Sequence, residues 1–413
     1  MIYPITTLQW LAKLISFDTT SRHSNLALID YINQFCQSLN LTPRLSFNLA
    51  KNKANLFVSI PANDNNVKTG GFVFSGHTDV VPVDGQAWDS DPFVAVVKEG
   101  KVYGRGACDM KGFIACCLAI LPNIVKLSVE KKLTKPIHLA LSFDEEIGCL
   151  GMPFLLTDLQ NQGIMPDYCI VGEPTMMKMV TAHKGIQTFR CRVQGKAAHS
   201  SLTEQGVNAI SYASQVIGFI DDLAEKLKQQ ELKQQESKQQ ESKPRDLVQG
   251  FDVPFSTLSV GMIKGGIATN IIPDFCEFSF DFRNLPHVLP TPIIESIRDF
   301  VKTLSEQMQN KNPNCYIELI QDCQVPAMND KESLALQRLI ENLVDDKRRH
   351  KVAYATEGGQ FTNFGVPTLI CGCGDIAQAH KANEFVSIEQ LNKCEQFLIN
   401  LVTMTAVTNN YGN

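Results

Sequence analysis

Four short apolar runs, each of the length and composition of a buried β-strand, lead to a histidine or a carboxylate. The runs and the polar residues that follow them are 71–75 with His77, 136–143 with Glu145 and Glu146, 167–171 with Glu173, and 366–371 with His380. Open α/β sheets place their ligand sites at the carboxyl ends of their strands. Because imidazoles and carboxylates are ligands of Zn²⁺, this recurrence predicts an α/β fold with a metal site at one edge of its sheet.

The size of the chain predicts the number of domains, and its charge limits the expected partners. The 413 residues exceed the size at which one core usually stops growing, so two domains are expected. The net charge of −5 gives no reason to expect nucleic acid or a membrane surface as a partner, and a small metabolite fits better. The start of the chain lacks the basic and apolar regions of a signal peptide, and no apolar stretch reaches the length of a membrane span.

The thirteen cysteines are scattered, odd in number and often set in apolar runs. Such usage is typical of reduced, buried thiols, so we expect a cytoplasmic protein without a disulfide framework. No Cys-x-x-Cys motif is present. Cys371-Gly-Cys373 is the nearest approach, and we interpret it as strand packing rather than as a metal site.

The order of strand-like and helix-like patterns predicts two domains. Alternating strands and helices cover about the first 180 residues and resume near Val325, which indicates a discontinuous, doubly wound α/β domain made of 1–184 and 325–413. Between them, at 185–324, strands that alternate polar and apolar residues accompany two helices. This pattern predicts an inserted α+β domain with an exposed sheet edge.

Residues 228–243 of the insertion are of low complexity. They repeat Lys-Gln-Gln-Glu every five residues, a period that forms no continuous apolar seam on a helix. We expect a frayed polar helix extension or a disordered loop, in which only Leu232 could be buried.

A glycine-rich segment, 104–112, supplies a further acid. It resembles a nucleotide-binding loop but has Asp109 where that loop needs a glycine, and it lacks Gly-Lys-Ser/Thr. A tight turn that presents one constrained carboxylate before a helix suits a ligand that bridges two metals through its two oxygens.

The adjacent Glu145 and Glu146 need different roles, because neighbouring side chains at a strand end point in different directions. One can coordinate an ion while the other acts as a general base. Asp79, two residues after His77, can accept the second ring N–H of that histidine and fix its tautomer.

Taken in order, these motifs resemble the co-catalytic metallohydrolases, a family that includes acetylornithine deacetylase, succinyl-diaminopimelate desuccinylase, aminoacylase and carboxypeptidases. The resemblance spans nearly the whole chain. It is carried by Gly-His77-Thr-Asp79-Val-Val-Pro, Gly-Arg-Gly-x-x-Asp109-Met-Lys-Gly, Asp-Glu145-Glu146-x-Gly, Gly-Glu173-Pro-Thr and the late His380. It implies two Zn²⁺ ions, with Co²⁺ as a substitute. The implied roles are His77 and Glu173 on one ion, Glu146 and His380 on the other, Asp109 as the bridge, Asp79 as the residue that orients His77, and Glu145 as general base and later general acid.

The resemblance also implies that the inserted domain is a lid or dimerisation domain, and it assigns roles to three residues of that domain. It implies that His199 crosses the interface of a homodimer, or a closing hinge, to hydrogen-bond the oxyanion of the reaction. Asn270 and Arg283 look like the clamp for the carboxylate of a substrate.

The implied reaction is hydrolysis of the amide bond of an acylated amino acid. Thr356-Glu357 resembles the corresponding segment of the acetylornithine deacetylases, and Glu357 could pair with the δ-ammonium of ornithine, so we expect N2-acetyl-L-ornithine as the substrate. Desuccinylase, aminoacylase and dipeptidase activities stay open as alternatives. A non-catalytic binding protein is the alternative of another class, and loss of the base or of a ligand would indicate it; the sequence keeps Glu145 and all five ligands.

Overall fold

The structure is a computed structural model that describes residues 2–65, 68–240 and 250–406. Within these residues the helices are α1 (Thr7–Ile15), α2 (Leu26–Ser38), α3 (Gly112–Val129), α4 (Met152–Gln162), α5 (Ala209–Gln240), α6 (Pro290–Lys311), α7 (Leu334–Ile340), α8 (Gly358–Asn363) and α9 (Ile388–Met404). The strands are β1 (Arg44–Phe47), β2 (Ala54–Ile60), β3 (Phe72–His77), β4 (Val96–Lys98), β5 (Lys101–Tyr103), β6 (Ile137–Ser142), β7 (Tyr168–Pro174), β8 (Val180–His183), β9 (Ile186–Gln194), β10 (Ala198–His199), β11 (Thr257–Gly265), β12 (Ile271–Ile272), β13 (Phe275–Arg283), β14 (Tyr316–Val325), β15 (His350–Val352), β16 (Thr368–Gly372) and β17 (Phe385–Ser387).

The described chain divides into two compact units. The first unit consists of Met1–Ala182, Met328–His350 and Thr356–Asn413, and the second of His183–Ala327 and Lys351–Ala355. The sequence predicted an insertion at 185–324 and assigned the short segment 351–355 to the main domain.

The first unit is built on an eight-stranded sheet with the order β1-β2-β6-β3-β7-β16-β8-β15. Its central strands β6, β3, β7 and β16 are parallel neighbours, and they are the four apolar runs recognised in the sequence. The predicted α/β class is confirmed. The sheet is nevertheless mixed, because β2 and β8 pair antiparallel with the two outer members of the parallel group.

Helix α3 covers this sheet and is apolar on most sides. Its core residues include Phe113, Ile114, Leu118 and Leu121, and it packs against α1 and α9. By length and composition alone the segment Ala107–Val129 could cross a membrane, which the sequence did not predict. Burial between the sheet and two helices accounts for the same composition, since a helix that is apolar all round is expected in a protein core.

The second unit contains a four-stranded antiparallel sheet with the order β11-β13-β9-β14. Strand β9 alternates buried and half-buried residues along its whole length, as a strand with one packed face does. The packed face carries Phe189, Phe278 and Phe282, which share a core with side chains of α5 and α6.

The low-complexity repeat continues α5 as far as Gln240. The prediction that only Leu232 could be buried in it is wrong. Leu232 is half-buried, whereas Glu231 is buried, and its Oε2 accepts a hydrogen bond of 2.6 Å from the backbone N–H of Ser256. The end of the repeat, 241–243, lies outside the described residues.

Candidate metal centre

The parallel strands bring the predicted ligands of the first unit to one edge of the sheet. His77 is the last residue of β3, and Glu173 is the penultimate residue of β7. Glu146 lies in the turn after β6, and His380 follows β16. Asp109 comes from the glycine-rich segment before α3, where its peptide bond to Met110 is cis.

His77, Asp109 and Glu173 form one group, called here the inner triad. Their ligand atoms lie within 4.8 Å of one another, and all three residues are buried. The Nε2 of His77 is 3.0 Å from Oδ1 of Asp109 and 3.7 Å from Oε1 of Glu173.

Asp109, Glu146 and His380 form a second group, the outer triad. The Nε2 of His380 is 3.3 Å from Oδ2 of Asp109 and 3.0 Å from Oε2 of Glu146. Asp109 thus turns one oxygen to each triad. The structure brings together all five residues that the resemblance named as ligands.

These spacings fit zinc. Zn²⁺ holds nitrogen and oxygen ligands at about 2.0–2.2 Å in a tetrahedron, which places ligand atoms about 3.3–3.6 Å apart. The four observed separations range from 3.0 to 3.7 Å. In addition, Oε1 of Glu173 is buried without a hydrogen-bond partner among the described residues. A buried acceptor of this kind needs a compensating group, and a cation would supply it.

The electrostatics of the site also favour cations. Burial raises the pKa of Glu145 and of Glu173 well above the usual range, and burial together with the charge of Asp109 raises the pKa of Glu146 to about 7. For Asp109, burial opposes ionisation, but hydrogen bonds from His380 and His77 hold its pKa below the usual range. Several carboxylates therefore crowd into one dry space, where divalent ions would offset their repulsion.

Asp79 supports the site in two ways. Its backbone carbonyl is 2.9 Å from Nδ1 of His77, whereas its Oδ1 is 3.6 Å away, so the carbonyl is the nearer acceptor for that ring N–H. Its carboxylate accepts hydrogen bonds from the backbone N–H groups of Glu145 and Glu146, at 3.1 and 3.2 Å. The sequence predicted that the carboxylate of Asp79 accepts the ring N–H of His77, whereas the backbone carbonyl makes this contact. It missed the contacts that hold the Glu145-Glu146 turn.

Glu384 is a supporting residue that the sequence did not reveal. Its Oε2 accepts hydrogen bonds from Nη1 of Arg105 at 2.8 Å and from the N–H of Gly106 at 3.0 Å. Its Oε1 accepts from the N–H groups of Cys108 and Asp109 at 2.8 and 3.0 Å. A buried arginine requires an anionic partner, but the sequence cannot tell that Arg105 is buried.

Glu357, the predicted contact for the substrate ammonium, also lies in the first unit. It is 1% exposed and accepts hydrogen bonds from the hydroxyls of Ser142 and Ser75, the latter at 3.3 Å. Burial raises its pKa to about 7, with opposing contributions from the Ser142 hydrogen bond and the charge of His77. The hydrogen bonds from the serines therefore do not fully offset the cost of burying this carboxylate.

The remaining predicted residues belong to the second unit. His199 is exposed on β10, and its Nδ1 is 2.7 Å from the hydroxyl of Ser201. Strand β10 pairs with β12, and the carbonyl of Asn270 accepts a hydrogen bond of 3.0 Å from the N–H of Ser200. Arg283 is half-buried, and its Nε donates to Asp281 at 3.1 Å. His199 and Asn270 are therefore neighbours within this unit.

Comparison with known sequences gives a family match over most of the chain. Residues 73–404 match the peptidase family M20/M25/M40. The acetylornithine deacetylase of Pasteurella multocida is 31% identical over 388 residues, which cover 94% of this chain and 93% of the relative. The acetylornithine deacetylase of Shigella sonnei is 32% identical over 352 residues, which cover 85% of this chain and 83% of the relative.

Solved structures with the same fold come from the same family. An M20 family metallo-carboxypeptidase from Sulfolobus solfataricus superposes with a TM-score of 0.73 at 18% identity and covers 97% of this chain and 99% of its own. A dinuclear metal-binding peptidase of the M20 family from Bacillus subtilis gives a TM-score of 0.60 at 13% identity, with 96% and 97% covered. At these identities the similarity establishes the fold.

Proposed function

Because the chain belongs to the peptidase family M20/M25/M40, and is thus a hydrolase of this family, we propose that it is a dinuclear zinc amidohydrolase that removes the acetyl group from N2-acetyl-L-ornithine. The observation that carries the proposal is that the two triads share Asp109. Its Oδ1 lies near His77 of the inner triad, and its Oδ2 lies near His380 of the outer triad. His77 and Glu173 would hold one Zn²⁺, Glu146 and His380 the other, and Co²⁺ could replace zinc. When bound, the two ions supply Lewis-acid polarisation of the amide carbonyl and lower the pKa of the attacking water.

Glu145 is the proposed general base. It is a half-buried residue beside Glu146 but belongs to neither triad, so it stays available for proton transfer. Its carboxylate accepts the proton of the attacking water and, in the protonated form, returns that proton to the nitrogen of the leaving amine. The Asp79 hydrogen bonds to the 145–146 turn keep the base and the neighbouring ligand in fixed positions.

The choice of N2-acetyl-L-ornithine rests on Glu357 and on the relatives. The δ-ammonium of ornithine would compensate the buried carboxylate of Glu357, because the serine hydrogen bonds and the charge of His77 do not fully offset its desolvation. A succinyl carboxylate would instead meet a like charge. Two relatives that are 31 and 32% identical are acetylornithine deacetylases.

One experiment tests the reaction and the substrate together. The purified chain should contain two zinc ions and hydrolyse N2-acetyl-L-ornithine faster than N-succinyl-diaminopimelate or N-acetyl-methionine. Glu357→Gln should lower kcat/KM for acetylornithine by about 30-fold or more, which corresponds to about 2 kcal/mol or more of lost binding energy. The loss should be much smaller for the neutral N-acetyl-methionine. Faster turnover of the succinyl substrate would identify a desuccinylase, and equal losses for both acetyl substrates would exclude Glu357 as the ammonium contact. Two bound ions without turnover of any acylated amino acid would favour a binding protein.

We further propose a homodimer in which His199 of one chain serves the centre of the other. Strand β11 is an edge strand, and its Met262 and Ile263 are 72% and 59% exposed. An exposed apolar edge strand can pair with a second copy across a two-fold axis. His199 itself is exposed and would donate to the oxyanion. Asn270 precedes β13 and Arg283 is its last residue, so the two lie at opposite ends of this strand and would bind one substrate carboxylate only as residues of different chains.

Mixing two inactive variants tests this arrangement. His199→Ala should lose about 10²–10³ in kcat with unchanged zinc content. Heterodimers of His199→Ala and Glu145→Ala chains would have one centre with both changes and one with neither, so activity should return when subunits exchange. An inactive mixture with exchange confirmed by mass spectrometry would exclude action of His199 across the dimer.

A cytoplasmic location is also proposed. All thirteen cysteines lie in the described part of the chain and none forms a disulfide, which supports a reducing compartment.

A further inference from the structure

A second set of ligand-type side chains lies in the core of the first unit. Cys116 on α3, Cys373 directly after β16 and Cys394 on α9 place their sulfur atoms within 4.8 Å of one another. All three side chains are fully buried, at 0% exposure. We call this group the thiol triad. It shares no residue with the inner or the outer triad.

Three elements bring the sulfur atoms together. Helices α3 and α9 pack against each other, and Sγ of Cys116 is 3.5 Å from the carbonyl oxygen of Leu391 on α9. Gly112 lies one helical turn before Cys116, and a Cβ atom there would come 3.3 Å from Sγ of Cys373. The glycine therefore leaves room for the third thiol beside the other two.

Buried thiols often serve as small apolar side chains, and all thirteen cysteines of this chain are buried. Burial alone is therefore no sign of a site. The thiol triad differs because three sulfur atoms converge, which is the arrangement a thiophilic ion requires. Although burial opposes ionisation, the hydrogen bonds of Cys394 with the thiols of Cys116 and Cys373 lower its pKa to about 7. Burial and the hydrogen bonds with the other two thiols raise the pKa of Cys116 well above its usual range, and the pKa of Cys373 is also raised, so the convergence of the sulfur atoms and not their acidity marks the site.

The charge of the site selects the ion. Three thiolates carry three negative charges, so Cu⁺ would leave a net charge of −2 and Zn²⁺ a net charge of −1 in a space without solvent. Uncompensated charge is costly in such a place. A structural Zn²⁺ also needs a fourth ligand, and no other His, Cys, Asp or Glu of the described residues joins this group. A trivalent ion bound by three thiolates is neutral and needs no further ligand.

We propose that the thiol triad binds a trivalent thiophilic ion of the arsenic and antimony class. With neutral arsenous acid, each thiol forms one As–S bond and one As–O bond breaks. The thiol proton leaves with the released hydroxyl as water. Three thiols therefore release three waters, and no atom changes its oxidation state. Because the site is closed, entry requires local opening, and uptake is slower than at an exposed thiol.

Native mass spectrometry of the full chain incubated with arsenite tests the proposal. The expected product carries one arsenic per chain, with a mass gain of one arsenic atom less three hydrogens. A two-thiol adduct would retain a hydroxyl group and have a different mass. This readout needs no variant. The melting temperature should also rise, since the ion binds the folded state.

Alanine variants identify the ligands. Cys116→Ala, Cys373→Ala and Cys394→Ala should each lower arsenite affinity on the order of a hundredfold, since a lost ligand costs at least as much as a lost supporting contact. Cys117→Ala is the matched control, because this thiol is adjacent in α3 and buried but lies outside the triad. Asp109→Ala should take up arsenic normally, which separates the thiol triad from the candidate metal centre.

Four results would overturn the proposal. The folded wild-type chain could take up no arsenic, its adduct could have the mass of a two-thiol product, or any one of the three alanine variants could bind as tightly as the wild type. Loss of uptake in Asp109→Ala would likewise move the binding to the metal centre.

Discussion

The inner and outer triads share Asp109, but their other residues belong to different kinds of secondary structure. His77 and Glu173 belong to the adjacent parallel strands β3 and β7, and their side chains are 1% and 5% exposed. Glu146 lies in a turn, and His380 adopts a left-handed backbone conformation with φ of 64°, which residues other than glycine seldom use. The side chain of His380 is 54% exposed. The inner ion would therefore be enclosed by rigid elements, whereas the outer ion would border solvent.

If the centre holds the two proposed ions, this difference would give each of them a separate task. An enclosed ion holds its position and its ligands, because hydrogen-bonded strands resist displacement. An ion at the open side could exchange one ligand for another, which is necessary when a substrate carbonyl or a water molecule binds to it. We therefore expect two ions with unequal affinity.

The largest effect should follow from removing the ligand that the triads share. Asp109→Ala should weaken both ions at once and lower kcat/KM by about 10⁴-fold or more, as removal of a central catalytic group does. Metal analysis after dialysis should find less than one ion per chain. Asp30→Ala, on the exposed face of α2, is the control. Two ions of normal affinity in Asp109→Ala would show that the triads do not depend on a shared bridge.

Glu145→Gln should separate proton transfer from ion binding. Because Glu145 belongs to neither triad, the variant should keep two ions while kcat falls by about 10²–10⁴-fold, the usual contribution of a general base. Glu146→Gln is the matched comparison, and it should lose the outer ion. Loss of an ion from Glu145→Gln instead would mean that the two glutamates have exchanged roles.

The sequence predicted which ligands lie close together, because parallel neighbouring strands end at the same edge of a sheet. A strand-like run followed by an acid or a histidine is visible in the chain, and parallel neighbours bring such ends to one edge. His77, Glu146, Glu173 and His380 can therefore be grouped from the sequence alone. Asp109 is recognisable because the glycine-rich segment fits no nucleotide loop.

The supporting contacts were not predictable in the same way. Glu384 accepts four hydrogen bonds from a segment that precedes it by about 275 residues, and nothing in its local sequence indicates those partners. The nearer approach of the Asp79 carbonyl to His77 depends on the backbone path after β3. The sheet is mixed because β2 and β8 run antiparallel to their neighbours β6 and β16, and the spacing of apolar residues does not specify the direction of a strand.

Single-ligand variants test the inequality between the two ions directly. His77→Ala should abolish the tight, slowly exchanging ion, and His380→Ala should abolish the weaker one and leave a single tight ion per chain. Each loss should exceed the 10–100-fold cost of a lost supporting contact, so we expect roughly 10²-fold or more in affinity for the affected ion. Chelator competition with Zn²⁺ measures both. If the wild type released its two ions in one phase, the distinction between an enclosed and an open ion would be wrong.

Glu384 provides the smallest and most specific test, because it links the two segments that the triads use. It lies four residues after His380, and its carboxylate binds the N–H of Asp109 and the buried Arg105. Glu384→Gln replaces one acceptor oxygen by an NH₂ group that would face donors. We expect ion affinity to fall by about 10–100-fold, the usual cost of a lost contact behind a metal ligand.

A positioning role for Glu384 predicts that excess zinc restores kcat in Glu384→Gln, because the ligands and the base are still present. Glu389→Gln is the matched control, since this glutamate is 76% exposed and forms an ion pair with the surface residue Lys393. A low kcat that persists at saturating zinc would instead indicate that Glu384 acts on the reaction itself. Unchanged ion affinity would show that the glycine-rich segment holds Asp109 in place without it, and the unequal affinities of the two ions would then have to arise from the strands and turns alone.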